Sequence, residues 1–245
     1  MMHEGYIFLN FLLKMKILLK LSGEGMGTKN GPVFDLSAIE PVIEQVKILK
    51  EKGHDIFIVS GGGNIFRGRS ITSIVPIKKD TGDYLGLLAT IQNGLVLKDL
   101  LSNIGVDAVL LSALDVPLIC QTFSSELAKK ESAAGRIPIF VGGLAKFGLT
   151  TDTTTVQRAI EVGADIVVMA KNGVAGLYSD DPRKNPQATF IKETTCTFIL
   201  DKKLTPVDFT ALEIARDNKI KIKLVGLDKI SESLDPDVGT TVLPA

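Results

Sequence analysis

Six short apolar runs recur along this chain of 245 residues, and longer amphipathic segments separate most of them. The runs are rich in isoleucine and valine and mostly lack alternation of apolar and polar residues, which is typical of strands buried on both faces. Strands that alternate with helices form a mostly parallel sheet covered on both sides. We therefore predict an α/β fold, a three-layer α/β/α sandwich, with strands at KILLKL, DIFIVS, DAVLLS, IPIFVG, DIVVMA and IKLVG.

Three amphipathic segments carry start and stop signals of helices. The first begins at Asp35, a candidate cap, and ends near Gly53. The second starts with GDYLG at Gly82, and the third starts with TTDT at Thr150; both end in glycine. Caps of this kind and terminal glycines are typical of helix boundaries, so we expect a helix in each segment.

Charge and residue usage exclude several classes of chemistry. Lysine plus arginine and aspartate plus glutamate both number 28, and no basic block occurs, so polymeric nucleic acid is not an expected partner. Cys120 and Cys196 are far apart and form no CxxC motif, which favours buried thiols in a cytoplasmic protein over disulfides or zinc. His3 and His54 are the only histidines, which leaves little material for a histidine base or metal site. We expect the chemistry to use lysine, arginine, aspartate and backbone groups.

The apolar N-terminal stretch YIFLNFLLKMKILLKL needs its own interpretation. Asn10 and three lysines interrupt it well short of a membrane span, and no positively charged region precedes it as in a signal peptide. We expect no membrane association. Met15 opens a natural first strand, so residues 1–14 are expected to be an N-terminal extension or the product of an upstream start choice.

Loops rich in glycine or small polar residues follow four of the predicted strands. Ligands bind where the strands of a parallel sheet end, and glycine allows successive backbone N–H groups to form an anion-binding concavity. One such loop is common in any fold of this kind, whereas four at one sheet edge favour a polyphosphate. No Walker motif is present, and GEGMG lacks the spacing of a dinucleotide fingerprint. The four loops are KLSGEGMGTKNG, SGGGNIFRG, GGLAKFGLTTD and AKNGVAGLYSDDP.

Motifs in these loops and helices resemble those of the amino acid kinase superfamily in order and spacing. They are KLSGE, GGGNIFRG, TGDYLGLLAT, TTDT, RAIEVGAD and GLYSDDPRKNP. Together, GGGNIFRG and TGDYLGLLAT resemble the bacterial type of UMP kinase, and the similarity runs from Met15 nearly to the end. The resemblance implies the amino acid kinase fold and transfer of the ATP γ-phosphate to UMP, giving UDP and ADP, in pyrimidine nucleotide and CTP biosynthesis.

The resemblance also implies properties that the residues alone do not indicate. Magnesium is expected on the ATP phosphates, with no protein metal site, and the assembly is expected to be a homohexamer. UTP is an expected inhibitor at the acceptor site. One kinase domain is expected over residues 15–245, with an acceptor-binding portion at about 15–165 and an ATP-binding portion at about 166–245.

Three residues carry catalysis by this resemblance. Lys20 would stabilise charge on the transferring phosphoryl group, with Lys171 as a second cation, since positioned cations provide most of the catalysis in such transfers. Asp152 would orient the lysines. It need not act as a base, because an acceptor phosphate with a second pKa of about 6 is already largely ionised. Without the resemblance, Lys20 would be read as a surface lysine and Asp152 as part of a helix cap.

The resemblance assigns the two glycines in the middle of GGGNIFRG to different nucleotides. Gly62 would lie against UMP and Gly63 against ATP, and we expect a side chain at either position to occupy the space where donor and acceptor meet. The residues assigned to ATP are Lys20, Leu21, Ser22, Gly23, Gly63, Arg67, Asn172, Tyr178 and Asp181.

Asp83 is the acceptor-site residue with the most specific role, because a carboxylate suits the ribose diol of UMP. We expect Asp83 to precede the long second helix, whereas Thr150 and Thr151 would both cap the third helix and contact UMP. The residues assigned to UMP are Gly62, Asp83, Leu144, Ala145, Lys146, Phe147, Gly148, Leu149, Thr150 and Thr151.

The loop LAKFGL, residues 144–149, departs from the family, which usually has Thr-Gly-Asn-Pro-Phe-Phe there. Ala175 likewise replaces an acid in the adenosine loop. Two alternatives therefore stay open. One is a relative with another acceptor, such as carbamate, acetylglutamate, glutamate or aspartate, although none of these has a ribose for Asp83. The other is a nucleotide-binding protein without turnover, against which Lys20 and Asp152 count.

Overall fold

Nine of the eleven strands form one central sheet in the computed structural model, which describes residues 14–27, 31–66, 76–180, 182 and 184–245. The strands are β1 (Lys16–Leu21), β2 (Asp55–Ser60), β3 (Ala108–Ser112), β4 (Gln121–Thr122), β5 (Ile137–Val141), β6 (Ile166–Lys171), β7 (Leu177–Tyr178), β8 (Phe190–Ile191), β9 (Glu193–Thr195), β10 (Ile222–Gly226) and β11 (Thr240–Leu243). The order across the sheet is β4-β3-β5-β2-β1-β6-β10-β11-β9, and β7 pairs with β8 in a separate antiparallel ribbon. Every neighbouring pair in the sheet is parallel except β10 with β11.

Helices cover both faces of the sheet. They are α1 (Leu36–Glu51), α2 (Lys79–Asn103), α3 (Ser125–Ala133), α4 (Thr151–Val162), α5 (Cys196–Asp201) and α6 (Phe209–Asp217). Alternate residues of β1 serve opposite faces: Leu19 packs in the cluster that contains Val46 of α1, whereas Leu18 packs in the cluster that contains Val156 of α4. The predicted three-layer α/β/α sandwich is confirmed, and all six apolar runs form strands.

The predicted helix caps are present at α1 and α4. Asp35 accepts a hydrogen bond from the backbone N–H of Ser37, and Thr150 accepts hydrogen bonds from those of Asp152 and Thr153. Gly163 ends α4 with a φ of 70°, in the left-handed region that glycine adopts readily.

Helix α2 begins earlier than its glycine signal indicated. It starts at Lys79, and Gly82 already donates a backbone hydrogen bond to the carbonyl of Lys78. Asp83 therefore lies inside the helix, and the expectation that it precedes α2 was wrong. Asp80 occupies the first turn, where the helix dipole favours a carboxylate, and this offsets part of the cost of the internal Gly82.

The N-terminal extension predicted over residues 1–14 lies almost wholly outside the described residues, and the structure does not test it. Within the described ranges, no helix combines the length and apolarity needed to cross a membrane.

Candidate active site

Four adjacent strands bring the glycine-containing loops to one edge of the sheet. Strands β5, β2, β1 and β6 are neighbours in that order, and all four are parallel, so their carboxyl ends lie side by side. The first two glycine loops touch directly. The backbone N–H of Gly61 donates to the carbonyl of Leu21 at 2.9 Å, and a Cβ placed on Gly23 would lie 2.6 Å from the backbone nitrogen of Gly63.

Lys20, Asp152 and Lys171 form a charged cluster at this edge. Lys20 Nζ lies 3.0 Å from Asp152 Oδ1, and Lys171 Nζ lies 3.9 Å from Asp152 Oδ2. Lys20 is only 8% exposed although it is a lysine, so its ammonium group is held inside the site. The three residues to which the sequence assigned catalysis are thus brought together from β1, α4 and β6.

Burial and charge act in opposite directions on this cluster. Burial disfavours ionised Asp152, but the ammonium groups of Lys20 and Lys171 outweigh it and hold the pKa of this carboxyl below its usual range. Burial lowers the pKa of Lys171, although the carboxylate of Asp152 partly opposes this shift. Asp152 is therefore a carboxylate that pairs with two cations and orients them, and its low pKa makes it a poor proton acceptor.

The N-terminus of α4 positions Asp152, and Asp208 holds that terminus. Asp208 accepts a hydrogen bond from Thr153 Oγ1 at 3.0 Å and another from Thr150 Oγ1, while its own backbone N–H donates to Asp152 Oδ2 at 3.3 Å. Asp208 also caps α6 by accepting from the backbone N–H of Ala211 at 2.8 Å. Sequence reasoning missed Asp208, for which the sole signal was a cap pattern in PVDFTA.

A first cleft of about 280 Å³ opens between α2, the glycine loop after β2 and the loop after β5. Seven of the ten residues assigned to UMP line it, and Gly63 joins them although it was assigned to ATP. Thr90 and Thr154 also line the cleft and were not predicted, because a threonine on a buried helical face carries no distinctive sequence signal. The seven are Gly62, Asp83, Lys146, Gly148, Leu149, Thr150 and Thr151.

The other three UMP-assigned residues lie in the same loop but are not among the described residues that line the cleft. Phe147 packs edge-to-face on Tyr84 of α2, with ring centroids 4.7 Å apart. Leu144 is partly buried, and Ala145 has a φ of 53°, a left-handed conformation that is uncommon outside glycine. The backbone N–H of Gly148 donates to Asp83 Oδ2 at 3.0 Å, which ties this loop to α2.

The two glycines that were assigned to different nucleotides face different surroundings. A Cβ on Gly62 would lie 2.8 Å from Ala89 Cβ and 2.9 Å from the carbonyl oxygen of Gly86, both on α2. Among the described residues, a Cβ on Gly63 would come within 4 Å of Glu24 Cγ alone, at 3.7 Å. The expectation that a side chain at either glycine would fill the reaction space was wrong for Gly62, where the close approach of α2 already requires glycine.

A second cleft of about 290 Å³ lies beyond the end of β6. Tyr178, for which an adenosine contact was predicted, lines this cleft and packs edge-to-face on Phe190 with centroids 5.2 Å apart. Asn172 lies outside its described lining and donates from Nδ2 to the carbonyl of Glu24 at 3.3 Å, which links the loops after β6 and β1. Gly226 and Asp228, which were not predicted, complete the far side of this cleft. Gly226 ends β10, the strand next to β6, and Asp228 follows it, so the rule that ligands bind at strand ends would have indicated both residues.

Two members of the charged cluster, Asp152 and Lys171, are close in sequence to residues that line the clefts. Asp152 directly follows Thr151, which lines the first cleft, and Lys171 comes two residues before Gly173, which lines the second. Leu21, Ser22 and Gly23 continue from Lys20 into the first glycine loop, as predicted. Arg67 and Asp181 fall outside the described residues.

Comparison with known proteins places these features in one family. The model of the family described as "Amino acid kinase family" matches residues 15–226. A uridylate kinase of Mesoplasma florum is 38% identical over 231 residues, which cover 93% of this chain and 96% of that protein. A uridylate kinase of Mycoplasmopsis pulmonis is 40% identical over 209 residues, covering 84% and 86%.

Two solved structures have the same fold over nearly the whole chain. The UMP kinase from Bacillus anthracis superposes with a TM-score of 0.90 at 28% identity, covering 94% of this chain and 96% of that one. The UMP kinase from Ureaplasma parvum superposes with a TM-score of 0.87 at 31% identity, covering 94% and 99%.

Proposed function

Because this chain belongs to the amino acid kinase family, we propose that it is a nucleoside monophosphate kinase that transfers the γ-phosphate of ATP to UMP, giving UDP and ADP. The observation that carries the catalytic assignment is the Lys20–Asp152–Lys171 cluster, two members of which are close in sequence to residues that line the two clefts. One buried ammonium group, of Lys20, and one partly buried, of Lys171, share one carboxylate and so leave a net positive charge. We propose that this charge stabilises the phosphoryl group as it passes between the nucleotides.

The cluster supports phosphoryl transfer by electrostatic stabilisation. The transition state spreads negative charge over the equatorial oxygens of the moving group, and the protein has little covalent work to do. In our proposal Lys20 and Lys171 stabilise that charge while Asp152 holds the two ammonium groups at fixed positions. The acceptor phosphate needs no base, since its second pKa of about 6 leaves it largely ionised at neutral pH.

The first cleft is proposed as the UMP site. Asp83 lines it from α2, and a carboxylate there suits the ribose diol. Thr150 and Thr151 lie at the N-terminus of α4, where backbone N–H groups and the helix dipole favour the phosphate. Lys146 adds a cation to the same cleft in place of the asparagine expected for the family.

The second cleft is proposed as the adenosine site. Tyr178 offers an aromatic surface, and Asp228 offers an acceptor for an amino group. The glycine loops after β1 and β2 approach each other at Gly23 and Gly63, and we propose that their backbone N–H groups bind the ATP phosphates. The proposed division follows, with the acceptor-binding portion at about 15–165 and the ATP-binding portion at about 166–245.

Magnesium belongs to this proposal as a cation on the ATP phosphates, where it would neutralise part of their charge. In the part of the chain that the structure describes, no group of three or more His, Cys, Asp or Glu side chains is arranged to hold a metal ion. Asp152 already pairs with two lysines, so its surroundings suit phosphate oxygens better than a metal ion.

Four further properties are proposed from the family alone. They are a homohexameric assembly, a place in pyrimidine nucleotide and CTP biosynthesis, a cytoplasmic location and inhibition by UTP. Inhibition has a physical basis, because UTP shares the uridine half of the acceptor and would compete for the same cleft.

The test is a coupled assay of ADP release with ATP and magnesium, offering UMP, CMP, dUMP, acetylglutamate and carbamate in parallel. We expect turnover with UMP and at least tenfold less with the others. Lys20→Ala should lower kcat by about 100-fold or more, the usual effect of removing one group that stabilises transition-state charge. Lys16→Ala, at the exposed opposite end of β1, is the matched control and should retain activity. Turnover with an amino acid acceptor, or none with any acceptor, would refute the proposed function.

A further inference from the structure

A reciprocal pair of asparagines lies behind the glycine loop, away from both clefts. Asn93 of α2 is 0% exposed. Its Nδ2 donates to the carbonyl of Gly61 at 2.6 Å and to Asn64 Oδ1 at 2.7 Å. Asn64 Nδ2 donates back to Asn93 Oδ1 at 3.1 Å and also to the carbonyl of Val33 at 2.9 Å. Both amide groups of the pair are therefore hydrogen-bonded on their nitrogen and oxygen sides.

A buried amide at position 93 lowers stability unless its hydrogen bonds have a structural role. Burial of an amide costs free energy that its hydrogen bonds only offset, and the next two turns of α2 on this face are apolar, at Leu97 and Leu101. A leucine would satisfy packing alone. The amide is oriented toward one loop, which indicates that it holds the position of Gly61–Asn64.

That position matters because the two glycine loops meet at Asn64. A Cβ on Gly23 would lie 2.5 Å from Asn64 Oδ1 and 2.6 Å from the backbone nitrogen of Gly63. The Asn64 side chain thus lies directly under the contact between the loops after β1 and β2. Any shift of Asn64 changes the separation of Gly23 and Gly63, and with it the geometry of the proposed phosphate-binding backbone.

One turn earlier, α2 also forms a hydrogen bond with the loop after β5, on the other side of the first cleft. Thr90 Oγ1 accepts a hydrogen bond from the backbone N–H of Gly142, at the start of the loop after β5, at 2.8 Å. Thr90 and Asn93 are three residues apart and so lie on the same helical face. The glycine loop and the acceptor loop are therefore both attached to one rigid helix, which sets the distance between them.

We propose that Asn93 is a positioning residue that acts through Asn64 and Gly61 to fix the glycine loop relative to the acceptor cleft. This inference rests on the proposed function for its kinetic consequence. Misplacement of reacting groups by about 1 Å can cost about 100-fold in rate, even from a distant substitution. Asn93 touches neither cleft, so its loss should affect alignment of the two substrates more than the binding of either one.

The main test compares Asn93→Leu with Asn103→Leu, a matched change at an exposed position of the same helix. We expect kcat of the Asn93 variant to fall at least tenfold while KM for ATP and for UMP each change less than threefold. The Asn103 variant should keep the kcat of the wild type. An Asn93 variant with wild-type kcat would overturn the proposal.

Hydrogen exchange provides a readout that does not depend on activity. Backbone amides of residues 61–66 should exchange at least tenfold faster in Asn93→Leu than in the wild type, and at the wild-type rate in Asn103→Leu. Unchanged exchange in Asn93→Leu would also overturn the proposal. If the wild type fails to phosphorylate UMP, the exchange comparison still decides this inference separately from the function.

A second variant keeps the proposal testable if Asn93→Leu does not fold. Asn64→Ala removes the other half of the pair from a partly exposed loop and should give the same loss of kcat. In a double-mutant cycle the two substitutions should be non-additive, since each removes the same contact. Additive losses, or full activity of Asn64→Ala, would contradict the role of the pair.

Discussion

The backbone N–H of Asp208 donates a hydrogen bond to Oδ2 of Asp152 at 3.3 Å, so the N-terminus of α6 contacts the carboxylate that pairs with Lys20 and Lys171. The Asp208 side chain strengthens the same junction by accepting from Thr150 and Thr153. Two helix N-termini thus converge on the cluster, and their partial positive charges add to those of the lysines.

Asp208→Ala should therefore reduce both stability and activity. Loss of the α6 cap costs about 1 kcal/mol in the free energy of unfolding, and loss of the acceptor for the two threonine hydroxyls adds to this. We expect kcat to fall as well, because Thr150 and Asp152 lose a fixed support. Urea unfolding and steady-state kinetics measure the two effects. Asp208→Asn keeps an oxygen that can cap α6 and should be less damaging; equal losses in both variants would contradict this explanation.

The lowered pKa of Lys171 predicts that activity is lost at high pH. Burial lowers the pKa of its ammonium group below the ordinary 10.5, so the charge is lost at a lower pH than for an exposed lysine. If the cation is needed, kcat/KM for ATP should decline on the alkaline side before pH 10.5. Lys171→Arg keeps its charge to a pH above about 12, so its profile should decline only at higher pH. An alkaline limb that stays in place in this variant would assign the titration to another group.

Gly62 and Gly63 should respond differently to alanine. Gly62→Ala forces a methyl group against Ala89 and the Gly86 carbonyl of α2, and we expect a loss of about 1–3 kcal/mol in the free energy of unfolding. Gly63→Ala leaves ordinary contact distances within the protein, so the fold should keep its stability.

The effect of Gly63→Ala should instead appear as a rise of at least tenfold in KM for ATP, because the methyl group would prevent close approach of a phosphate to the backbone. Thermal unfolding and ATP saturation curves separate the two variants. Wild-type ATP kinetics in Gly63→Ala would remove Gly63 from the ATP site.

Ala145 offers a stabilising substitution within the acceptor loop. Its φ of 53° costs an ordinary residue roughly 1–2 kcal/mol, whereas glycine adopts this conformation freely. Part of that gain is offset by the greater freedom of glycine in the unfolded chain. We expect Ala145→Gly to raise the free energy of unfolding by up to about 1 kcal/mol, measured in urea. Ala134, with a φ of −79°, is the matched control, and glycine there should give no gain.

Most of the fold could be predicted from local sequence, whereas the site residues were proposed from motifs that resemble those of a known family. Each apolar run forms a strand because a segment without polar interruption is stable only when buried on both faces, and this property is carried by the segment itself. Lys20, Asp152 and Lys171 were placed at strand and helix ends by their motifs, and the parallel sheet brings such ends together.

Contacts between segments that are far apart along the chain could not be predicted from the sequence. The packing of Gly62 on α2, the support of Asp152 by Asp208 and the pairing of Asn64 with Asn93 join residues between 24 and 56 positions apart. Hydrogen-bond partners at such separations depend on how helices dock on the sheet, and no local pattern encodes that docking.

The sequence by itself therefore determined the strands, the glycine-rich loops and the charged residues available for catalysis, because periodicity and backbone freedom are local properties. Only the tertiary structure decided which glycine is required by a neighbouring helix, which carboxylate is neutralised by two lysines and which buried amide supports the loop. Those outcomes depend on distances of a few ångströms across the sheet edge, and distances of that kind exist only once the layers have packed.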